Sequence, residues 1–242
     1  MNLIIDVGNT FVKLAVFQDS ILKEKAIVSL DVFEKSFKKI LKSFPKLQKC
    51  IISSVGKLEK KHKDLVTTSL DTVILSADTK LPFHNLYKTP KTLGVDRMAL
   101  VCAASQQFPK KSCLIIDAGT CITYDFINNN NEYLGGAISP GIRLRYLSLH
   151  NLTANLPLLK TEQPEDIIGN NTANAIHSGV VNGILKEIDG VIADYQDKYS
   201  DLTVILTGGD ANFLSKQLKS SIFANSNFLL EGLNFILEHN SH

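Results

Sequence analysis

Two stretches of this chain run an apolar segment into an aspartate, a glycine and a hydroxyl. The first is Leu3-Ile4-Ile5-Asp6-Val7-Gly8-Asn9-Thr10; the second, Leu114-Ile115-Ile116-Asp117-Ala118-Gly119-Thr120, repeats its Leu, Ile, Ile, Asp and Gly at an offset of 111 positions, from Asp6 to Asp117. Glycine after a short strand lets the backbone turn with positive φ and approach a ligand closely, and Asn9, Thr10 and Thr120 can donate to phosphate oxygens, with Lys13 as a nearby cation. The carboxylates need a further partner. Two like unit charges 4 Å apart repel by about 4 kcal/mol at an effective dielectric of 20. A phosphate beside Asp6 or Asp117 therefore implies a cation between them, and magnesium suits oxygen ligands and retained water. Magnesium-bound ATP is the implied ligand. A third turn, Thr207-Gly208-Gly209-Asp210, follows an apolar run and precedes a helical one. Two readings are open to it: a backbone bare enough to lie against adenine, or a tight strand-to-helix turn. An Asp-x-Gly turn is by itself also the ordinary tip of a hairpin, and duplication alone accounts for the repeat; the Gly-Gly turn is an independent coincidence. Neither G-x-x-x-x-G-K-[ST] nor G-x-G-x-x-G occurs, which excludes P-loop and protein-kinase geometry.

The elements that must position these turns follow from periodicity. Residues 3–7, 11–17 and 21–28 read as an antiparallel meander, and Asp31 with Glu34 resembles a capping box opening a helix over 31–44, with Phe33, Phe37, Ile40, Leu41 and Phe44 at helical spacing. A strand over 50–55, a charged helix over 57–69 and a strand over 72–76 complete the first half. After a loop containing Pro82 and Pro90, a helix is expected over 96–108. Strands then recur over 113–117, 121–127 and 133–139, the Asn128 to Asn131 run supplying a turn. A long helix is expected over 172–198, with Ile176, Val180, Ile184, Ile188, Val191 and Tyr195 as its apolar stripe. A strand over 202–206 and helices near 211–219 and 227–238 finish the chain. The repeat places a boundary near residue 111, giving domains 1–111 and 112–242 with a cleft between two facing acidic turns.

Composition narrows the function classes. With 242 residues, 44% hydrophobic and 21% charged, the chain is that of an ordinary globular protein able to bury a core. Its net charge of +2 gives no concentrated basic face, and the run from Lys57 to Lys63 is broken by Glu59, so no nucleic-acid partner is expected. Four cysteines lack C-x-x-C spacing, and three lie in apolar stretches, as reduced core thiols do. The expected location is the cytoplasm, since no leader and no apolar run of about 20 residues is visible. The two Asn-x-Thr sequences at Asn151 and Asn170 are accordingly set aside.

Taken in order, Asp6-Val7-Gly8-Asn9-Thr10, Asn85-x-Tyr87-x-x-Pro90-x-x-Leu93-Gly94-Val95-Asp96-Arg97, Asp117-Ala118-Gly119-Thr120, Gly135-Gly136-x-Ile138-x-Pro140-Gly141 and Thr207-Gly208-Gly209 resemble the type III pantothenate kinases, within the acetate kinase, sugar kinase, chaperone and actin superfamily. The resemblance spans nearly the whole chain, and Gly94-Val95-Asp96-Arg97 is its most specific part. One departure is Cys121, where the family usually has alanine; it bears on local packing. The resemblance implies an α/β fold of two similar ribonuclease-H-like domains, each a mixed sheet with flanking helices, around an ATP cleft. It also implies transfer of the ATP γ-phosphoryl group to the primary hydroxyl of pantothenate, the first step of coenzyme A synthesis.

By the same resemblance Asp96 is the catalytic base; its other reading is the N-cap of the 96–108 helix, followed by a surface Arg97. Asp6, Val7, Gly8, Asn9, Thr10, Phe11, Val12, Lys13 and Thr120 would hold phosphates and Gly208 and Gly209 the adenosine; magnesium at Asp6 rests on the charge argument above. Tyr87, Gly94, Val95, Asp96, Arg97 and Thr172 would contact pantothenate, and Asp117 a monovalent cation, potassium or ammonium. The family implies a homodimer, and the stripe of the 172–198 helix has room for one but equally suits the core. His177 stands alone on that helix, and no Cys/His spacing suggests zinc. Two alternatives stay open: a kinase of the same fold for another small hydroxyl or carboxylate substrate, and a non-catalytic transcriptional regulator of the same family.

Overall fold

The computed structural model describes residues 1–8, 10–54 and 58–241. Asn9, the expected strand end at Val55 and the expected helix start at Lys57 lie outside the described residues. In chain order the strands and helices are β1 (Asn2–Val7), β2 (Val12–Gln18), β3 (Ile21–Val28), α1 (Phe33–Ser43), β4 (Lys49–Ser54), α2 (Lys60–Ser69), β5 (Asp71–Ile74), β6 (His84–Asn85), α3 (Val95–Gln107), β7 (Cys113–Ala118), β8 (Cys121–Ile127), β9 (Glu132–Pro140), α4 (Ile142–Asn151), α5 (Thr172–His177), α6 (Gly183–Lys198), β10 (Thr203–Thr207), α7 (Ala211–Ser215), β11 (Phe223–Ala224) and α8 (Phe228–His239). A π-helical stretch, Ser178–Asn182, joins α5 to α6.

The chain divides into two compact units, each built on its own mixed sheet. Unit 1 comprises Met1–Pro109, Asn131–Tyr133 and Asn227–His242. Its sheet has the order β3-β2-β1-β4-β5, antiparallel through the β1-β2-β3 meander and parallel from β1 to β4 to β5. All six residues of β1 are buried, because the central strand is covered on both faces. On one face Leu3, Ile5 and Val7 pack with Leu14, Phe33, Phe37, Ile52 and Val66. The spacing of Phe33, Phe37 and Ile40 thus forms the buried face of α1. The expected capping box does not form: Asp31 falls inside a 3-10 turn, Leu30–Val32, and no side chain caps α1.

The sequence reading placed the last helix with the second domain, whereas α8 packs on α3, β1 and β4 of unit 1. Its Gly232 lies so close to α3 that a Cβ there would come within 2.0 Å of the Ala99 carbonyl oxygen. At the same face Asn2 Nδ2 donates to Asn234 Oδ1 at 2.8 Å, and Asn234 Nδ2 donates to the Asp19 carbonyl at 3.0 Å.

Unit 2 comprises Lys110–Asn130 and Leu134–Ser226. Its strands follow the order β11-β10-β7-β8-β9, with β7 antiparallel to β8 and parallel to β10. Leu114, Ile116, Ala118, Ile122 and Tyr124 pack against Ile176, Val180, Ile184, Ile188, Ile192 and Leu206. The expected 172–198 helix is therefore present, with its main apolar stripe in the core and a π turn in its first half. Helix α7 stops at Ser215 rather than near 219. Sequence reasoning missed α4 and the two-residue strands β6 and β11.

Candidate active site

In unit 1, Asp6 lies one residue before the end of β1, directly opposite Lys13 on β2 and Ser53 on β4. Residues paired across neighbouring strands share a face of the sheet, so three polar groups converge where the apolar strand ends. Lys13 Nζ lies 3.2 Å from Asp6 Oδ2. Asp6 is only 4% exposed. That burial raises its pKa above the ordinary carboxylate value, while Lys13 pulls it down and the charge of Asp96 pushes it up. The fully buried Ser53 hydroxyl makes no well-aligned hydrogen bond, but is near enough to favour the ionised Asp6. The turn closes with Gly8 N–H donating to the Phe11 carbonyl at 3.0 Å, leaving Thr10 and Phe11 exposed and Val7 and Val12 buried. Asp6 thus offers a buried carboxylate oxygen of the kind that magnesium takes as a ligand.

Asp96 and Arg97 stand in the first turn of α3. The helix N-cap is Gly94, not Asp96, because Val95 already has helical backbone. Asp96 Oδ1 instead accepts the Arg97 backbone N–H at 2.8 Å, which fixes the carboxylate at the helix start. A Cβ on Gly94 would lie 2.4 Å from that same oxygen, so the bare glycine leaves Asp96 its place. Arg97 is buried rather than on the surface, and its guanidinium carbon sits 5.6 Å from the centre of the Tyr87 ring. Tyr87 in turn stacks on Tyr133 with ring centres 6.0 Å apart. The structure thus gathers Asp6, Lys13, Asp96, Arg97 and Tyr87 within one unit, with the charge of Asp96 reaching Asp6.

In unit 2, Asp117 near the end of β7 pairs with Thr123 on β8 and Thr207 on β10. The turn is closed by Gly119 N–H donating to the Cys121 carbonyl at 2.9 Å, with Thr120 and Cys121 exposed. Gly208 adopts φ of +97°, and a Cβ there would fall 2.3 Å from the Ala118 carbonyl oxygen and 2.5 Å from Asp117 Oδ1. The Gly-Gly turn is therefore packed flush on the acidic turn, held also by Asp210 N–H donating to Ala118 O at 2.9 Å. The steric demand of the tight turn falls on Gly208, while Gly209 is exposed with open space over its Cα. Thr172 opens α5 and is exposed, behind the N-cap Asn171, which accepts from Asn174 N–H at 2.9 Å. His177 is buried, with Nδ1 2.8 Å from the Tyr146 hydroxyl. Sequence reasoning missed Ser53; only the strand register aligns it with Asp6.

The family model for type III pantothenate kinase matches residues 2–194. The type III pantothenate kinase of Flavobacterium johnsoniae is 54% identical over 233 residues, covering 96% of both chains. A solved structure from Campylobacter jejuni, assigned to the Baf family of transcriptional activators, is 24% identical with a TM-score of 0.65 and covers 99% of this chain and 98% of its own. A glucokinase from an Antarctic psychrotroph is 12% identical with a TM-score of 0.52, covering 99% of each. At those identities the two structures share the fold alone, which is the two-sheet α/β fold of the sugar kinases. The match over residues 2–194, together with more than half identity to a relative of the same length, places this chain in the type III pantothenate kinase family.

Proposed function

We propose that the protein transfers the γ-phosphoryl group of ATP to the primary hydroxyl of pantothenate, opening coenzyme A synthesis. Beyond family membership, the observation that carries this reading is the pairing of Asp96 with a buried Arg97 at the start of α3, within electrostatic reach of Asp6. Asp96 takes the proton of the attacking hydroxyl as its oxygen bonds to the γ-phosphorus and the bond from that phosphorus to ADP breaks. Arg97, held over Tyr87, pairs with an anionic group of the substrate, and Gly94, Val95 and Thr172 line its site. Residues 6–13 and Thr120 bind phosphates, Gly208 and Gly209 the adenosine. Asp6 would hold magnesium, which when bound would supply charge neutralisation at the phosphate oxygens. Asp117 serves a monovalent cation, potassium or ammonium.

The same proposal includes a homodimer, supported by the apolar side chains of Leu152, Ile167 and Ile168, which are 82%, 70% and 77% exposed. Among the described residues no helix is long and apolar enough to cross a membrane. A cytoplasmic location, with access to ATP, belongs to this proposal too. A coupled ADP assay tests the activity: turnover is expected only with pantothenate present and rises with potassium. Purified protein that turns over ATP with another acceptor and not with pantothenate overturns the substrate assignment. Light scattering at micromolar concentration tests the dimer.

A further inference from the structure

Behind the second acidic turn lies a polar cluster drawn from four separated parts of unit 2. Arg145 of α4 folds its guanidinium back on the segment before its own helix: Nε donates to the Pro140 carbonyl at 3.0 Å and Nη2 to Ser139 Oγ at 3.1 Å. Nη2 also forms an ion pair with Glu187 Oε2 of α6, and the other Glu187 oxygen accepts the Tyr124 hydroxyl of β8 at 2.8 Å. Both charged side chains are partly buried, 21% and 28% exposed. Burial alone would raise the Glu187 pKa, but hydrogen bonds from Arg145, Ser139 and Tyr124 outweigh it and hold the group ionised.

The cluster reaches the turn by two routes. Gly141 follows the residues that Arg145 grips; its N–H donates to the Thr120 carbonyl at 3.1 Å. A Cβ on Gly141 would lie 2.1 Å from the Gly119 carbonyl oxygen, so the two backbones are in direct contact and neither can shift alone. The second route is β8, in which Tyr124 lies four residues beyond Thr120. We propose that Arg145 and Glu187 are positioning residues: their ion pair fixes residues 139–141 and β8, and through them holds Thr120 where a nucleotide phosphate meets it. This rests on the phosphoryl-transfer reading of the turn. A fork of two donors is needed, one to a backbone carbonyl and one shared by a hydroxyl and a carboxylate, which a lysine ammonium cannot reproduce.

The test uses the full chain with Arg145→Met, Arg145→Lys, Glu187→Gln and Tyr124→Phe, read by local hydrogen exchange and by steady-state kinetics. Arg145→Met and Glu187→Gln are expected to speed exchange of the Gly119 amide by at least about tenfold with the Gly8 amide unchanged. They should raise KM for ATP by about tenfold, with KM for pantothenate within about twofold of wild type. Arg145→Lys should not restore either value, and Tyr124→Phe should give a smaller change in the same direction. Unchanged Gly119 exchange in variants that merely melt lower, or equal loosening of both turns, overturns the proposal. If wild type turns over no ATP, the phosphoryl-transfer reading fails, and the exchange experiment still decides whether the cluster holds the turn. Should Arg145→Met fail to fold, Glu187→Gln and Tyr124→Phe carry the same comparison.

Discussion

Lys13 Nζ stands 3.2 Å from Asp6 Oδ2, the carboxylate side chain 6% exposed and the ammonium side chain 38%. The pair is unequal: Asp6 is the more deeply buried, and Lys13 offsets only part of its desolvation, since burial still leaves the Asp6 pKa raised. At a pH below the unfolded-chain value near 3.8, both states are protonated and the group contributes nothing. As the pH rises from there to the raised folded value, the unfolded chain ionises while the buried group of the folded chain does not, and the folded chain loses stability relative to it. Asp6 therefore costs stability at neutral pH. Asp6→Asn is expected to melt higher at pH 7, by about 2–4 °C for each kcal/mol relieved, while losing phosphoryl transfer. The advantage should shrink as the pH falls toward 4 in scanning calorimetry; a variant that melts lower at pH 7 refutes this account.

Asp96→Asn keeps the shape of the first turn of α3, because the amide oxygen can still accept the Arg97 N–H. Folding and ATP binding should persist while turnover falls by at least about 100-fold, the range of a lost general base. The coupled assay and nucleotide titration together measure this, and near-normal turnover removes Asp96 from the role of base.

Tyr87 gives Arg97 an aromatic face at 5.6 Å. Tyr87→Ala should raise KM for pantothenate by about 2- to 30-fold, the worth of a partly desolvated cation–π contact, with KM for ATP little changed. Tyr87→Phe keeps the ring and should stay within about threefold of wild type. Equal losses in both variants would assign the effect to the hydroxyl instead.

Of the four cysteines, only Cys121 is exposed. Burial pushes the Cys113 thiol up to about 12 and drives Cys50 and Cys102 upward as well. Titration with a disulfide reagent should find one fast thiol in the folded protein and four after denaturation. Cys121→Ala should abolish the fast phase, and ATP should slow it, because Cys121 adjoins Thr120. More than one fast thiol contradicts the packing described.

The acidic turns were legible because each ends a continuous apolar run, the mark of a strand covered on both faces, as β1 is. The Gly94-to-Arg97 segment was legible as a motif, but its cap was not: Asp and Gly are both good N-caps, and only the backbone at Val95 decides between them. Helix α4 escaped notice although Ile142, Tyr146 and Leu149 have helical spacing, since Leu144 and Leu147 spread apolar residues off that stripe and residues 142–146 alternate as a strand would. That spacing after Pro140-Gly141 was the available signal. Strands β6 and β11 are two residues long and too short to show alternation. The Arg145–Glu187 pair spans 42 positions and Asn2–Asn234 spans 232; side chains that meet only through tertiary packing leave no local trace.

The return of α8 to unit 1 bears on how this chain is made. Strand β1 is synthesised before the whole of the second unit, yet the helix that packs on it, and the Asn234 that satisfies Asn2, follow that unit in the chain. The second unit, although later in sequence than most of the first, has all its residues available before the first is complete. Vectorial synthesis, which ordinarily favours the N-terminal domain, here leaves the opening sheet waiting for the closing helix. A chain cut after Ser226 would thus carry every residue of the second unit and lack the helix that completes the first.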